Sequence, residues 1–317
     1  MKIHLVTPAK AHSRNGNRTS AIRWARLLRQ AGHRVRIDTD YTGQATDLLI
    51  ALHAWRSADA IQRYREVSPD GPLVVALGGT DVNTYLNKDP QTTLASMQTA
   101  DALVCLHDLI ADELPEAMRS KLTVIRQSAE PLPKPREPSK RHFDICVIGH
   151  LRREKDPFRT ALAARLLPAE SRIRVLHYGK AIRDRWAAQA EAEMQINPRY
   201  QWKGEVSPGR IRQVFGRTHL MVISSIQEGG ANVVSEALVA GVPIIASDIP
   251  GNIGLLGPDY AGYFKVGDEQ HLSERIHQAE TDPAFLTQLE QQGKVLAPLF
   301  TPEKEQAAWL KIIEAIT

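Results

Sequence analysis

One segment in the second half of the chain combines a short apolar run, a double glycine and a stretch rich in alanine and valine. Residues 219–223 are apolar and β-branched, which is typical of a buried strand. Residues 231–240 are typical of a helix, and the Gly-Val-Pro that follows is a helix stop. A strand, a glycine-rich turn and a helix in this order predict an α/β fold.

The turn in this segment is suited to binding a phosphate group. Gly229 and Gly230 carry no Cβ, so the backbone can come close to a ligand there. The N–H groups of Ala231, Asn232 and Val233 have no partner inside the helix, and the helix dipole favours an anion in front of them.

Two glutamates flank this predicted anion site. Glu228 lies in the turn, and Glu236 lies about two helical turns further along. Carboxylates beside an anion site are costly unless they have another role, and a carboxylate offers two oxygens at about the spacing of vicinal hydroxyls. Backbone N–H groups that donate to a phosphate, together with two carboxylates that accept from hydroxyls, predict a nucleotide-sugar site.

The length and composition predict a two-domain protein without a membrane span. At 317 residues the chain exceeds the size at which one core is usual. Its content of 43% hydrophobic and 24% charged residues is ordinary for a soluble globular protein, and no apolar run is long enough to span a bilayer. Cys105 and Cys146 each lie in an apolar run, so we expect buried, reduced thiols in a cytoplasmic protein.

Domain boundaries follow from a proline-rich stretch at residues 131–138, which predicts an extended linker. We therefore expect an N-terminal domain at 1–138, a nucleotide-sugar-binding domain at 139–300 and a terminal helix at 301–317.

Polar side chains follow successive predicted strands of the first domain. These strands lie at residues 3–6, 48–52, 73–77 and 103–106, and the polar residues after them are Asn15, Arg18, His53, Arg56, Thr80, Asp81 and His107. Because open α/β sheets bind ligands at the carboxyl ends of their strands, we expect one rim of this sheet to be a site. No Gly-x-Gly-x-x-Gly follows the first strand, which argues against a dinucleotide oxidoreductase.

The basic residues are concentrated at the start of the chain. Residues 1–37 contain nine Lys or Arg and no Asp or Glu, although the net charge is only +4. No aromatic-interleaved patch accompanies them, so we expect a small phosphate-rich ligand and no nucleic acid. A predicted strand begins at Lys2, which leaves no room for a targeting leader.

Two motifs resemble the donor site of GT-B glycosyltransferases, especially the large family numbered four. One is the pair Glu228 and Glu236 with seven residues between them, and the other is Gly149-His150-Leu151-Arg152-Arg153-Glu154-Lys155. The resemblance implies an α/β fold of the GT-B type, with two facing, doubly wound, Rossmann-like domains and a cleft between them. It also implies that the domain at 1–138 binds the acceptor and that the terminal helix at 301–317 packs back on this domain. In that family the two Glu residues hold the hexose and the ribose, and an Arg and a Lys hold the diphosphate. His150 occupies the position of that Arg, and Arg152 or Arg153 could take over its role.

The whole chain is similar to a narrower group, the selenosugar synthases (SenB) of selenoneine biosynthesis. This similarity rests on residues 13–21, 51–58 and 79–81, and on His150, which belongs to the narrower pattern. It implies transfer of the sugar of a UDP-sugar, such as UDP-N-acetylglucosamine, to the selenium of selenophosphate, with release of UDP and phosphate. It also implies no cofactor, no metal ion, and other selenoneine-pathway enzymes as partners.

The resemblance assigns three groups of site residues. The catalytic residues are Lys155, Arg152, His53 and Asp81. The donor-binding residues are Gly16, Asn17, His150, Arg153, Val206, Glu228, Gly229, Gly230, Ala231, Asn232, Val233 and Glu236. The acceptor-binding residues are Lys10, Arg18, Arg56 and Thr80. Ionised selenium is nucleophilic without a general base, so we expect His53 and Arg56 to orient the acceptor and Asp81 to position the sugar.

Other functions fit the same motifs. A family 4 glycosyltransferase with a hydroxyl acceptor would share every residue of the second domain. A UDP-sugar 2-epimerase or a phosphorylase would use a similar two-domain scaffold, and a nucleotide-sugar sensor would keep the donor motif without catalysis.

Overall fold

The computed structural model describes residues 1–13 and 15–317, which divide into two compact units. Unit 1 comprises Met1–Ser128, Gly229–Asn232 and Phe300–Thr317, and unit 2 comprises Ala129–Glu228 and Val233–Leu299. Arg14, part of one stretch on which the selenosugar synthase resemblance rests, lies outside the described residues.

Unit 1 is built on a parallel sheet. Its strands are β1 (Lys2–Val6), β2 (Arg34–Asp38), β3 (Leu48–Leu52), β4 (Leu73–Ala76), β5 (Ala102–Cys105) and β6 (Leu122–Val124). They pair in the order β2-β1-β3-β4-β5-β6, so the direction of winding reverses between β1 and β3. Ligands of such sheets bind at this reversal, outside the carboxyl ends of the strands.

Helices cover both faces of this sheet. They are α1 (Gly16–Gln30), α2 (Ala58–Val67), a π-helical turn (Asp81–Tyr85), α3 (Leu86–Lys88), α4 (Pro90–Thr99), α5 (Ile110–Glu113), α6 (Glu116–Arg119) and, from the end of the chain, α14 (Pro302–Ile316). Because side chains alternate along a strand, Leu49 and Ala51 enter one apolar cluster while Leu48 and Ile50 enter the other. Burial on both faces explains why β3 is apolar at every position.

The first and last long helices of unit 1 pack together. Asn15 caps α1 by accepting a hydrogen bond from the N–H of Arg18 at 3.0 Å, so the helix begins at Gly16. Trp24 of α1 meets Trp309 of α14 with ring centroids 4.8 Å apart, and both side chains are fully buried. Thr301 caps α14 through its side chain, as the sequence predicted.

Unit 2 repeats the architecture with a different strand order. Its strands are β7 (Phe143–Ile148), β8 (Ile173–Tyr178), β9 (Tyr200–Trp202), β10 (Leu220–Ile223), β11 (Ile244–Ser247) and β12 (Tyr263–Phe264). They are parallel in the order β12-β11-β10-β7-β8-β9, and the winding reverses between β7 and β10. The loops that leave these two central strands therefore lie side by side, and they carry both donor motifs.

The remaining elements of the chain connect the strands of unit 2. They are a 3-10 turn (Arg153–Lys155), α7 (Arg159–Arg165), α8 (Asp184–Ile196), α9 (Pro208–Phe215), α10 (Asn232–Val239), α11 (Pro250–Leu256), α12 (Glu269–Thr281), α13 (Pro283–Leu296) and a second 3-10 turn (Ala297–Phe300). The first residue of α10 belongs to unit 1.

The two cysteines lie in strands, Cys105 in β5 and Cys146 in β7. Cys105 and Cys146 are buried free thiols, as predicted, and burial raises the pKa of each to about 12. Across residues 1–13 and 15–317, no helix is long and apolar enough to cross a membrane.

Candidate functional site

The loops after β7 and β10 are joined by an ion pair between Lys155 and Glu228. Lys155 Nζ donates to Glu228 Oε1, and the side chain of Ser225 donates to the same oxygen at 2.5 Å. The Glu228 side chain is only 9% exposed and that of Lys155 only 19%, so both charges are largely shielded from water. The structure thus brings together the two residues on which the donor prediction mainly depends.

The turn that carries Glu228 is held by buried polar contacts from the next loop. Ser247 Oγ donates to the carbonyl of Ser225 at 2.6 Å, and Asn252 Nδ2 donates to Ser247 Oγ at 3.0 Å. A Cβ on Gly251 would lie 2.4 Å from the Glu228 carbonyl oxygen, so only glycine fits there. The sequence analysis missed these supporting residues, because their partners lie some twenty positions away in the chain.

The loop after β7 holds Lys155 in place and leaves the side chains of Arg152 and Arg153 exposed to solvent. Its 3-10 turn ends at Asp156, which adopts a left-handed conformation with φ of 41°, and Ser224 Oγ donates to the Asp156 carbonyl at 3.0 Å. The Lys155 stem runs over Gly149, where an added Cβ would be 3.6 Å from Lys155 Cδ. By contrast, Arg152 and Arg153 are exposed, and Arg152 approaches only Glu154, at 3.9 Å.

His150 offers a neutral hydrogen-bond donor at the position where the family has an arginine. Its Nδ1 accepts the N–H of Lys180 at 3.1 Å, so its proton is on Nε2. Burial is the main cause that lowers the pKa of His150. The charge of Glu205 opposes this shift, and the charges of Arg152, Lys155 and Lys180 add to it. The imidazole is therefore suited to donate one hydrogen bond to an anion without carrying a charge.

Backbone contact between two glycines brings the end of β8 against the His150 loop. A Cβ on Gly179 would lie 1.9 Å from the Gly149 carbonyl oxygen, which excludes any side chain at position 179. His177 Nε2 lies 3.1 Å from the same oxygen, and burial lowers the pKa of His177 to about 4. Gly179 was not identified from the sequence, because nothing in its local pattern indicates so close an approach.

The double glycine after Glu228 packs against the strand ends of unit 1. A Cβ on Gly229 would lie 2.2 Å from Gly79 Cα, and one on Gly230 would lie 2.4 Å from the Cβ of Leu106. We expected these glycines to leave space for a ligand, but protein atoms occupy the space that their side chains would fill. Gly230 also has φ of +110°, which favours glycine independently.

Asn232, the first residue of α10, is held by α1 within unit 1. Arg23 donates from one guanidinium nitrogen to Asn232 Oδ1 at 2.7 Å and from another to Gln127 Oε1 at 2.7 Å. Gly16 lies beside the same asparagine, since a Cβ on Gly16 would be 3.7 Å from Asn232 Nδ2. Two predicted donor-binding residues, Gly16 and Asn232, are therefore neighbours in the structure.

The loops after β3 and β4 form a second cluster of buried polar groups. Asp81, which is fully buried, accepts the backbone N–H groups of Gly78, Ala54 and Trp55 at 2.7 to 2.9 Å. His53 lies with Nδ1 2.7 Å from Asp81 Oδ1. These contacts hold the Asp81 carboxylate in place against the loop after β3, and its expected role in positioning the sugar stays a prediction.

His53 itself is held in an uncommon conformation. Its φ is +82°, in the left-handed region that non-glycine residues rarely adopt, and its Nε2 lies 2.6 Å from Thr80 Oγ1. A Cβ on Gly78 would be 2.8 Å from the His53 ring, so the ring needs glycine there. A π-helical turn begins at Asp81, and such turns are frequent at functional sites.

An aromatic pair borders this cluster. Trp55 and Tyr85 stack with centroids 3.9 Å apart, and the guanidinium of Arg56 lies 6.0 Å from the Tyr85 centroid. Trp55 Nε1 donates to Asp89 at 2.8 Å, and this hydrogen bond is the largest cause that lowers the pKa of Asp89. The pair fixes the loop that carries Arg56, whose own side chain remains exposed.

The other predicted site residues are less tightly grouped. Lys10 is exposed, Asn17 and Arg18 are half-buried, and no hydrogen bond or ion pair among the described residues joins Lys10, Arg18 and Arg56 to one another. Val233 is buried near the start of α10, while Val206 and Glu236 are half-buried. Within the described residues, no group of His, Cys, Asp and Glu has the arrangement of a metal site.

The chain is similar to known proteins along most of its length. Residues 128–295 match the family model described as glycosyl transferases group 1. Glycosyltransferase 1 domain-containing protein 1 of Xenopus tropicalis is 25% identical over 292 residues, and the match covers 83% of each chain.

Solved structures resemble this one closely despite low sequence identity. Anabaena HepE in complex with UDP superposes with a TM-score of 0.79 at 15% identity, over 99% of this chain and 100% of that one. Its complex with UDP-glucose gives 0.78 at 15% identity, over 100% and 99%. The sucrose-phosphate synthase of Thermosynechococcus elongatus also gives 0.78 at 15% identity, over 99% and 98%.

Proposed function

The chain belongs to the group 1 glycosyl transferases and has the GT-B fold, and we propose on this premise that it transfers the sugar of a UDP-sugar to the selenium of selenophosphate. The enzyme class follows from the family, and UDP and UDP-glucose are bound by Anabaena HepE, which shares the fold. The selenium acceptor is the further step, and it is supported by the resemblance of the whole chain to selenosugar synthases.

One observation supports the donor assignment: Lys155, in the loop after β7, pairs with Glu228, in the loop after β10. These two strands are neighbours at the centre of the unit 2 sheet. In the absence of ligand each neutralises the other. A UDP-sugar supplies both replacement partners, because its diphosphate attracts Lys155 and its sugar hydroxyls donate to Glu228. Binding therefore exchanges one ion pair for two ligand contacts, which moderates the desolvation cost of each charge.

Further donors to the diphosphate come from neutral groups. The N–H groups at the start of α10 have no partner within that helix, and His150 presents Nε2–H from the adjacent loop. Glu236, further along α10, is assigned to the ribose hydroxyls. As the bond between sugar and phosphate breaks, negative charge develops on the departing UDP, and Lys155 with these N–H groups stabilises it.

Selenophosphate fits the basic character of unit 1. Lys10, Arg18 and Arg56 belong to loops or helix starts at the carboxyl ends of β1 and β3, and residues 1–37 contain no acidic side chain. The selenium attacks the anomeric carbon, the bond to UDP breaks, and water then cleaves the phosphorus–selenium bond to release phosphate and the 1-seleno-sugar. The proposed reaction places the protein in the cytoplasm, with other selenoneine-pathway enzymes as partners.

A hydroxyl acceptor is the second candidate, and the His53–Asp81 pair favours it. A histidine oriented by a buried carboxylate is the arrangement that removes a proton from a hydroxyl nucleophile. A selenium nucleophile does not need this assistance. The two candidates share the same donor chemistry and differ only in what the loops of unit 1 bind.

The test is to incubate the purified protein with UDP-glucose, UDP-N-acetylglucosamine and UDP-galactose, each with and without selenophosphate, and to determine product masses. We expect a selenosugar, UDP and phosphate only when selenophosphate is present. Transfer to hydroxyl acceptors with no reaction of selenophosphate would support the second candidate. An isomer formed from UDP-sugar alone would identify an epimerase and contradict both.

A further inference from the structure

Glu228 Oε1 accepts hydrogen bonds from two donors that differ in charge. Lys155 Nζ donates from the loop after β7, and Ser225 Oγ donates at 2.5 Å from the loop that carries Glu228 itself. The lysine is a cation, whereas the serine hydroxyl is neutral. The two contacts therefore respond differently when an anionic ligand approaches.

A diphosphate would compete with Glu228 for Lys155 but not for Ser225. Phosphate oxygens attract the ammonium group of a lysine, and Lys155 can turn towards them because its long side chain is flexible. Ser225 stays in place, since the residue is only 1% exposed. Its hydroxyl then remains as a donor that holds the Glu228 carboxylate.

The position of Ser225 is fixed by buried groups at the end of β11 and in α11. Ser247 is fully buried, and its Oγ donates to the Ser225 carbonyl at 2.6 Å. Asn252 Nδ2 donates to both the carbonyl and the Oγ of Ser247 at 3.0 Å. The Lys155 side chain takes no part in these contacts, so its movement towards a ligand leaves Ser225 supported.

We infer that Ser225 is a positioning residue, which keeps the Glu228 carboxylate oriented towards the transferred sugar after the diphosphate has drawn Lys155 away. It acts through Glu228 and makes no contact of its own with the sugar. A carboxylate recognises hydroxyls selectively when its own rotamer is fixed by neighbouring hydrogen bonds. The inference rests on the proposed function, in which Glu228 binds sugar hydroxyls and Lys155 binds the diphosphate.

Titration calorimetry tests the inference without an acceptor. Wild type and Ser225→Ala are titrated with UDP, UDP-glucose and UDP-N-acetylglucosamine. We expect Ser225→Ala to bind UDP as the wild type does, because UDP carries no transferred sugar for Glu228 to hold. The UDP-sugar that the wild type binds best should bind about tenfold more weakly, since a hydrogen bond that orients a charged group is lost. Ser225→Cys keeps a weak donor and takes the place of Ser225→Ala if that variant does not fold, with the same difference between UDP and UDP-sugar expected.

Ser224→Ala is the matched control, because Ser224 is the neighbouring serine and is also buried, at 2% exposed. Its Oγ donates to the Asp156 carbonyl at 3.0 Å in the loop of Lys155, so it supports the residue assigned to the diphosphate. We expect Ser224→Ala to change the affinities for UDP and for the UDP-sugar by the same factor. A loss confined to the UDP-sugar in Ser225→Ala would then not be explained by a general loss of stability.

A double-mutant cycle shows whether Ser225 acts through Glu228. In a Glu228→Ala background the carboxylate is absent, so Ser225→Ala should cause no further loss of UDP-sugar affinity. A loss of the same size in both backgrounds would overturn the inference, because the serine would then act by another route.

The outcomes separate this inference from the proposed function. If the wild type binds no UDP-sugar, the proposed function fails. If the wild type binds a UDP-sugar and Ser225→Ala weakens UDP and that UDP-sugar by the same factor, or weakens neither, the assignment of Ser225 is overturned while the proposed function stands.

Discussion

Glu305 of α14 and Arg23 of α1 form a buried ion pair, with Arg23 Nε 2.9 Å from Glu305 Oε2. Glu305 also accepts Trp24 Nε1 at 2.8 Å and the N–H of Ser128 at 2.8 Å. The same guanidinium reaches Asn232 at 2.7 Å. One arginine thus links the terminal helix to the start of the proposed diphosphate-binding helix.

Replacing Glu305 by Gln should lower the free energy of unfolding by about 3 kcal/mol, because it leaves a largely buried arginine without its charged partner. Urea or thermal unfolding measures the change. Glu303→Gln is the matched control, since Glu303 is exposed on the first turn of the same helix and should change stability by less than about 0.5 kcal/mol. Equal effects of the two substitutions would show that the buried pair contributes little.

Replacing Lys155 by Met should lower kcat for sugar transfer by about 10²- to 10³-fold, because the charge that stabilises departing UDP is lost. UDP affinity should fall as well. Lys294→Met removes an exposed lysine from α13 of the same unit and should leave both unchanged. A Lys155→Met enzyme with wild-type kcat and UDP affinity would contradict the donor assignment.

Replacing Gly229 by Ala should weaken UDP-sugar binding and turnover at least tenfold, because the new Cβ would meet backbone atoms of Gly79 at 2.2 and 2.4 Å and displace the turn. Gly209→Ala serves as the control, since a Cβ there has nothing within 4 Å and lies in α9. That substitution should leave binding unchanged and raise stability by up to about 1 kcal/mol. The comparison uses binding constants for UDP-glucose and melting temperatures.

Stability should fall as the pH drops from about 6.5 towards 4, because two buried histidines resist protonation. Burial lowers the pKa of both His107 and His177 to about 4, whereas in the unfolded chain each takes up a proton near its usual pKa of 6.5. Between these values the unfolded state binds more protons, so acid favours unfolding, by about 3 kcal/mol for each histidine at pH 4.

The contribution of one histidine can be isolated by substitution. His177→Gln keeps groups that can bond Tyr200 and the Gly149 carbonyl, and it should reduce the loss of stability between pH 7 and pH 5. His12→Gln replaces an exposed histidine and should leave the pH dependence as it is in the wild type. Identical pH profiles for wild type and His177→Gln would contradict the burial argument.

Patterns local in sequence predicted most of the fold. The five strands predicted from apolar runs agree with β1, β3, β4, β5 and β10 to within one residue at each end, and the terminal helix expected at 301–317 is α14. The family resemblance implied that Lys155 and Glu228 both bind the donor, but their ion pair was not predicted. The strand order explains the pair, because β7 and β10 are adjacent.

Contacts between residues that are far apart in the sequence could not be predicted from local patterns. The partners of Asp81 at positions 53 to 55 lie in the loop after another strand, and no local pattern in the sequence indicates these contacts. Gly229 was explained by ligand access, whereas its neighbour in space is Gly79, 150 positions earlier in the chain. Both depend on which strands become neighbours, and no period of two or 3.6 residues encodes that information.

Unit 1 is built from segments that lie far apart in the chain, which has a consequence for folding during translation. Its sheet comes from the first 128 residues, but Trp24 packs against Trp309, which is translated after the second unit. The apolar surface around Trp24 therefore stays exposed while the second unit is translated. During this time the nascent chain can aggregate or bind a chaperone. Moving residues 300–317 to the front of the gene by circular permutation should shorten this exposure.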